Sequence, residues 1–432
     1  MKKSIVYFGV MALFALNVSA KDVQSVDELI SYSLKNSPDL AITTKEFEAS
    51  TKRTKKAVSY YLPRVDLHAS AGASASSQII LDPGNMEEDT MLLGKLTVTQ
   101  LLYDFGKTGG NYDASKYLQE SSKMNNLQSI SDKIRDVKHA YYNVLRSMAL
   151  IDVAKENLKL NEKQLYRAKR YFSAGIRTKI DISDAKVNVI KAKIDLKKVK
   201  YTLKLAYGTL DQVIGVKDIE SPFSITPQNL ELDDIFYTLA PYDMNLYDSV
   251  TFAYEHRYNI QKFIADKKAS KENIRVARSE YYPSFYLSGN YSRLEADSLN
   301  TFLPKNSWQA TLSLDWNVYQ GGASKALIEE QIIQENISAS RLEFLKLQIK
   351  KEVTEAYINL NESRDRVELS QALLQASAEK FNQAQKRYEN GLSDYIELQQ
   401  ARQSYIDAKS SLVIDYYSYY DSLAKMYHAI GK

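Results

Sequence analysis

The chain repeats itself. The stretch "VKHAYYNVL" (137–145) returns as "VTEAYINLN" (353–361), with Val137, Ala140, Tyr141 and Asn143 recurring as Val353, Ala356, Tyr357 and Asn359 at an offset of 353 − 137 = 216. At the same offset "AGIRTKIDISDAK" (174–186) returns as "NGLSDYIELQQAR" (390–402), where Gly391, Ile396, Glu397 and Ala401 answer Gly175, Ile180, Asp181 and Ala185. Gly215 and Gly431 keep it too. One register across three segments makes the chain two copies of a single unit, so whatever it folds into must be built twice.

Each copy carries heptads. In the first, Leu127, Ile130, Ile134, Val137, Tyr141, Val144, Met148 and Ile151 alternate by threes and fours, and Leu158, Leu165 and Phe172 continue by sevens. The second has Val353, Leu360, Val367, Leu374, Phe381 and Tyr388. Beside these seams run small or polar residues, Ala140, Ser147, Ala154, Asn161 and Ala168, then Ala356, Ser363, Ser370, Ser377 and Ala384. Large side chains facing small ones suit knobs-into-holes packing of closely approaching helices. Past Gly175 the period resumes in Ile182, Val189, Leu196, Leu203 and Leu210, and past Gly391 in Leu398, Tyr405, Leu412, Tyr419 and Met426. A strict seven-residue period means a left-handed supercoil. The spacing predicts a helix from about Thr108 to Ala174, roughly 100 Å long at 1.5 Å per residue. Gly175 and Gly391 end the outgoing helices, and Asp181 and Glu397 fall in the first turns of the returning ones, where negative charge is favoured.

Two alternating stretches precede each long hairpin. In the first copy "PRVDLHASAGAS" sets Val65, Leu67, Ala69, Ala71 and Ala73 on one face, and "KLTVTQLLYD" sets Leu96, Val98, Gln100 and Leu102 opposite Thr97 and Thr99. In the second, "PSFYLSGNYS" and "WQATLSLDWNVY" do the same, the latter through Ala310, Leu312, Leu314, Trp316 and Val318. About ten residues each is the length of a tilted membrane-spanning strand. Four strands cannot close a barrel, and an open edge facing lipid would leave its amides unpaired. Either several chains pool their strands in a membrane, or the four form a sheet in a soluble periplasmic domain.

The N-terminus, "MKKSIVYFGVMALFALNVSAKD", has the charged start, short apolar run and small-residue site of a secretory signal peptide, with cleavage expected after Ala20. Beyond it no apolar run reaches the roughly 20 residues of a membrane-spanning helix. No cysteine is present, which excludes disulfides, thiolate metal sites and an N-terminal lipid on cysteine. A net charge of +4 over 432 residues indicates no particular partner. The basic row Lys193, Lys197, Lys200 and Lys204 is interspersed with acids and reads as a solvated face rather than a nucleic-acid contact. Tyrosine is frequent, at 32 residues, while 15 glycines and 8 prolines leave few turns and hence few, long elements.

The stretch "LLYDFGKTGG" (101–110) contains the Gly-Lys-Thr of a phosphate-binding loop, but the glycine such a loop needs five residues before Gly106 is Leu101. Its counterpart "VYQGGAS" keeps glycine, at Gly321 and Gly322, and lacks the rest. What persists is a strand, a glycine joint and a helix. His68, His139, His256 and His428 have no metal-ligand spacing, and no nucleophile elbow occurs. The residues give catalysis little to work with, and no enzyme and no cofactor are expected.

In their order, these features resemble the TolC-type outer-membrane efflux channel family. They are a signal peptide, helical pairs ending in "YYLPRVDL" and "YYPSFYLSGNYS", strand pairs ending in "LLYDFGK" and "VYQGGAS", and hairpins turning at "AGIRTKIDISDAK" and "NGLSDYIELQQAR". The resemblance covers the mature chain in both copies. It implies a mainly helical fold of two tandem repeats (21–215 and 248–432) joined by an equatorial segment (216–247). It also implies a homotrimer whose chains give four strands each to a twelve-stranded barrel in outer-membrane lipid, over an α-helical barrel in the periplasm. Such a channel is a passive exit duct in tripartite efflux or type I secretion, served by an inner-membrane transporter and a periplasmic adaptor. Carried over residue by residue, the tip acid at glycine plus six is Asp181, and the tyrosine at glycine minus three in the second copy is Tyr388. An Asp181–Tyr388 hydrogen bond between the hairpins is the gate contact this implies. The family's arginine at glycine plus two is Ser393 here. The lumenal acid ring reduces to Glu397, with Gln400 in place of a second acid. The competing reading of Asp181 and Glu397 is helix-start charge alone. The competing reading of the whole is a soluble coiled-coil adaptor or structural protein, or a secreted pore-former. The first would need a lipoyl-like domain, and the last would lack the duplicated strand pairs.

Overall fold

The computed structural model describes residues 21–23, 25–76, 87–176, 178–218, 223–227, 230, 232, 234–296 and 305–432. The expected signal peptide, 1–20, lies outside them.

A short strand β1 (Lys21–Val23) precedes the helices α1 (Val26–Asn36) and α2 (Pro38–Ser59). Then come strands β2 (Arg64–Ser76) and β3 (Glu87–Tyr103) and helices α3 (Lys107–Ser173) and α4 (Lys179–Ile214). After β4 (Phe223–Ile225) and a 3-10 turn (Ile235–Thr238) the series repeats. Its members are α5 (Leu246–His256), α6 (Tyr258–Ser279), β5 (Ser284–Ala296), β6 (Asn306–Asp315), α7 (Ala323–Glu389) and α8 (Tyr395–Ile430). The long helices have equal lengths in the two copies, 67 residues for α3 and α7 and 36 for α4 and α8. The heptad reading placed α3 within one residue of its observed ends. Ahead of the strand loops the offset is 258 − 38 = 220 rather than 216, so the first copy is four residues longer between β2 and α3.

Two compact units result, and neither is a sequence copy. One comprises 42–128 and 254–350, the other the residues up to 41 with 129–253 and 351–432. Their boundaries fall inside α2, α3, α5 and α7, so each unit takes part of both copies.

The first unit holds one antiparallel sheet in the order β2-β3-β5-β6. The second holds the heptad core. Val137, Val144, Val353, Val367, Leu412 and Met426 are fully buried there, with Ala140, Ser147, Asn161 and Ala168 beneath them. Tyrosines explain how the connecting segment stays in place. The Tyr419 hydroxyl donates to the Ala240 carbonyl at 2.5 Å and Tyr420 to that of Thr238 at 3.4 Å, while Phe236 N donates to Gln371 Oε1 at 2.8 Å. Around them the rings of Tyr142, Tyr416, Tyr417 and Tyr420 pack edge to face or tilted. Burial pushes the Tyr142 phenol up to about 12 and raises Tyr416 and Tyr417 as well.

Candidate channel wall, joint and tip

Strand register sorts the sheet into two faces. Val65, Val98, Gly289 and Ala310 lie in one row across the four strands, and Leu67, Leu96, Tyr291 and Trp308 in the next row of that face. Leu287 with Leu312, and Phe285 with Leu314, extend it toward the helices. The other face is polar through its middle rows, Arg64-Thr99-Ser288-Thr311, Asp66-Thr97-Asn290-Gln309 and His68-Lys95-Ser292-Ser307, with Leu101 and Tyr286 at one end of it and Leu93 and Leu294 at the other. On the apolar face the run stops past Tyr291 at Arg293 and Glu295, which pair with each other. An apolar band ending in aromatic residues and then charge is the pattern of a lipid-facing barrel wall. None of the sheet's described residues is buried, and Leu67 and Trp308 are 79% and 81% exposed. At β2 and β6 the sheet has open edges, each strand having one neighbour.

Asp104 builds the joint between β3 and α3. Its Oδ1 accepts from Gly106 N at 3.2 Å and its Oδ2 from Thr108 N at 2.7 Å. The amides a phosphate would need are therefore taken, and the Gly-Lys-Thr is a capped helix start. Gly106, with φ +92°, makes the turn, and Gly321 and Gly322 (φ +61° and +88°) make its counterpart. Next to this joint α3 meets α6 closely. A Cβ on Gly110 would lie 2.7 Å from Val276 Cγ2, Lys107 Nζ is 2.7 Å from Glu280 Oε1, and Arg275 Nη1 is 3.1 Å from Asp113 Oδ2.

At the other end the hairpins turn on Gly175 and Gly391, both at φ +73°. Ile176 N donates to Tyr171 O at 2.9 Å and Gly175 N to Phe172 O at 3.0 Å, and Leu392 and Gly391 repeat this on Arg387 and Tyr388. That paired arrangement satisfies the last carbonyls of each outgoing helix. Asp181 and Tyr388 do not meet. Asp181 Oδ2 instead accepts from Thr178 N at 3.0 Å and from Thr178 Oγ1 at 3.2 Å, closing a capping box on its own helix. Tyr388 is buried in a cluster with Ala168, Ala185, Ala384, Tyr395, Leu398 and Ala401. The expected inter-hairpin bond is thus replaced by others. Asn188 Nδ2 on α4 donates to the Tyr395 hydroxyl on α8 at 2.9 Å, Gln399 Nε2 reaches Asn188 Oδ1 at 3.4 Å, and Arg167 Nη2 on α3 lies 2.8 Å from Glu389 Oε1 on α7. Arg402 is 4% exposed beside Tyr395; burial lowers its affinity for the proton, and Tyr395 partly offsets that. Glu397 stays half-exposed, its Oε1 3.5 Å from Arg387 Nε, while its amide donates to the N-cap Asp394 at 2.8 Å. Lys193, Lys197, Lys200 and Lys204 are exposed along α4.

The whole arrangement has relatives. Residues 29–216 and 252–432 match the family described as "Outer membrane efflux protein". The chain belongs to that family. It is an outer-membrane efflux channel protein. It is 22% identical over 418 residues to the toluene efflux pump outer membrane protein TtgC of Pseudomonas putida, covering 94% of this chain and 83% of the relative. It is 20% identical to the outer membrane protein TolC of Vibrio cholerae, covering 100% and 96%. Among solved structures CusC superposes with a TM-score of 0.81 at 18% identity, over 94% of this chain and 92% of that one.

For this efflux protein the local hydrogen bonds at the tips could be read from the sequence, and those between the hairpins could not. The capping box was readable, because Thr178 stands three residues before Asp181. Asn188 with Tyr395 was not, since 207 residues separate them and neither is unusual in its own helix.

Proposed function

We propose that three copies of this efflux protein pool their strands into a twelve-stranded barrel in the outer membrane, with the long helices forming an α-barrel through the periplasm. The duct is passive, performs no reaction and holds no cofactor. An inner-membrane transporter and a periplasmic adaptor deliver the substrate, in tripartite efflux or type I secretion. The observation that carries this is a sheet with one apolar face, one face polar through its middle rows, no buried residue among those described and two open edges. Lipid suits the apolar face and a water-filled lumen the polar one, and edge closure by neighbouring copies satisfies every backbone amide. Native mass of the detergent-extracted outer-membrane protein tests it. Three chains per particle are expected; a single-chain particle would overturn the shared barrel.

The hairpin tips carrying Gly175, Asp181, Tyr388, Gly391 and Glu397 form the periplasmic gate in this reading. One Glu397 per chain makes a ring of three acids, which favours cations in a narrow throat. Planar-bilayer conductance tests the gate. Asp181→Asn, which weakens the capping box that orders the turn at the tip, should raise the resting current, and Glu397→Gln should lower cation preference. Unchanged current and selectivity would remove these residues from the gate.

A further inference from the structure

The two joints between strand pair and long helix are unequally filled. In the first copy Tyr61, Gly109 and Asp113 border a groove between the end of α2 and the start of α3, and it holds the guanidinium of Arg275 from α6. A Cβ on Gly109 would stand 2.9 Å from Arg275 Nη2 and 3.2 Å from the Tyr61 hydroxyl, and Arg275 Nη1 lies 3.1 Å from Asp113. In the second copy the equivalent place is a cavity of about 380 Å³ lined by Arg278, Tyr281, Tyr282, Lys325, Ile328 and Glu329. Tyr281 stands for Tyr61 at the offset of 220, and Lys325 and Glu329 stand for Gly109 and Asp113 at 216.

The occupant of the first groove comes from the next copy along the chain. Taking the same step from the second copy leads out of the chain, to α2 of another molecule. The residue there at the position of Arg275 is Lys55 (275 − 220). We infer that Lys55 of the partner subunit enters the second groove and pairs with Glu329. Charge agrees with this. The end of α2 presents Lys52, Arg53, Lys55 and Lys56, all exposed and none in an ion pair among the described residues, and the start of α7 presents Glu329 and Glu330. Lys325 approaches Glu329 no closer than 3.8 Å, and both stay exposed, so the carboxylate keeps room for a second cation.

The same step fixes a strand register. Val98 faces Gly289 and Thr99 faces Ser288. Transposed by the two offsets, Leu314 faces Ala69 of the partner subunit and Asp315 faces His68 of the partner subunit. β6 stops at Asp315, four residues short of Tyr319, which is the equivalent of the last residue of β3. Trp316 and Val318 beyond it stay exposed and keep the alternation, as a strand end lacking its neighbour would. A head-to-tail contact of this kind closes into a ring when its rotation allows.

This inference rests on the pooled-strand reading and adds which residues meet. The natural absence of cysteine makes the test clean. The in-register pairs Ala69→Cys with Leu314→Cys and Ser70→Cys with Ser313→Cys are compared with the offset pair Ala71→Cys with Leu314→Cys. Directly opposed Cβ atoms sit about 4.5–5.5 Å apart and diagonal ones about 7–8 Å. Oxidised outer-membrane fractions should give multi-chain bands on non-reducing gels from an in-register pair and none from the offset pair. Lys55→Glu should reduce the oligomer recovered in detergent through like-charge contact, and Glu329→Lys in the same chain should restore it. An oligomer that cross-links at the offset pair, or that the charge exchange fails to rescue, overturns the inference and leaves the shared barrel standing. An unmodified protein that runs as a single chain overturns both.

Discussion

The helical unit encloses its apolar side chains, whereas the sheet displays them. Val353, Leu412 and Val144 lose all contact with water, while Leu67, Leu312 and Trp308 lose little. Both regions are equally regular and equally hydrophobic in pattern, so the difference is one of partner. A heptad seam on α7 finds its complement on α8 of the same chain. An alternating strand finds only the next strand, and no layer among the described residues covers its face. Apolar surface left bare after folding is addressed to something else, and in the proposed assembly the address is lipid on one face and another copy at the edges.

Substitutions in both regions would break or sharpen that contrast. Leu412→Ala opens a cavity in the enclosed seam and should cost about 2–5 kcal/mol, read as a lower thermal midpoint of the helical signal, with outer-membrane recovery retained. Leu96→Arg puts a charge on the displayed face and should cost about 2–4 kcal/mol of membrane stability. It should empty the outer-membrane fraction, while Thr97→Arg, on the polar face, should not. If the two readouts exchanged places, the division into enclosed and displayed regions would be wrong. Asn188→Ala removes the tie between the hairpins and should cost about 1–2 kcal/mol, with a rise in resting conductance. Gly391→Ala meets open space but forces a side chain into the left-handed region, for about 1 kcal/mol. The buried tyrosines of the helical unit add a pH effect. The folded phenol of Tyr142 titrates near 12 against about 10 unfolded, so its stabilisation is complete below pH 10 and is lost as pH climbs from 10 to 12. Tyr142→Phe should flatten that alkaline decline in circular dichroism melts.

Much of the fold was legible, for local reasons. A seven-residue period needs no knowledge of distant residues, and Gly175 and Gly391 mark turns because positive φ excludes most other side chains. The face assignment of the strands was equally plain, since alternation alone decides it. Less legible was anything that depends on competition. Asp181 had two claimants, its own helix amide and a tyrosine on another hairpin, and the amide three residues away holds it. Long-range pairs such as Arg275 with Asp113, or Arg167 with Glu389, leave no periodic trace. The shift of offset from 216 to 220 and the two units that each draw on both copies also appear only once the strands are paired.

The central seam of the sheet joins β3 to β5, and with it Val98 to Gly289, 289 − 98 = 191 positions later. A chain delivered from its N-terminus therefore presents β2 and β3 as a lone ribbon, too small to hold itself together in water, until most of the remaining polypeptide has followed. Until then connectivity leaves an apolar ribbon with open edges that can pair with other chains. The same link that lets one chain carry two copies of the wall keeps that wall unpaired along its central seam until β5 has followed β3.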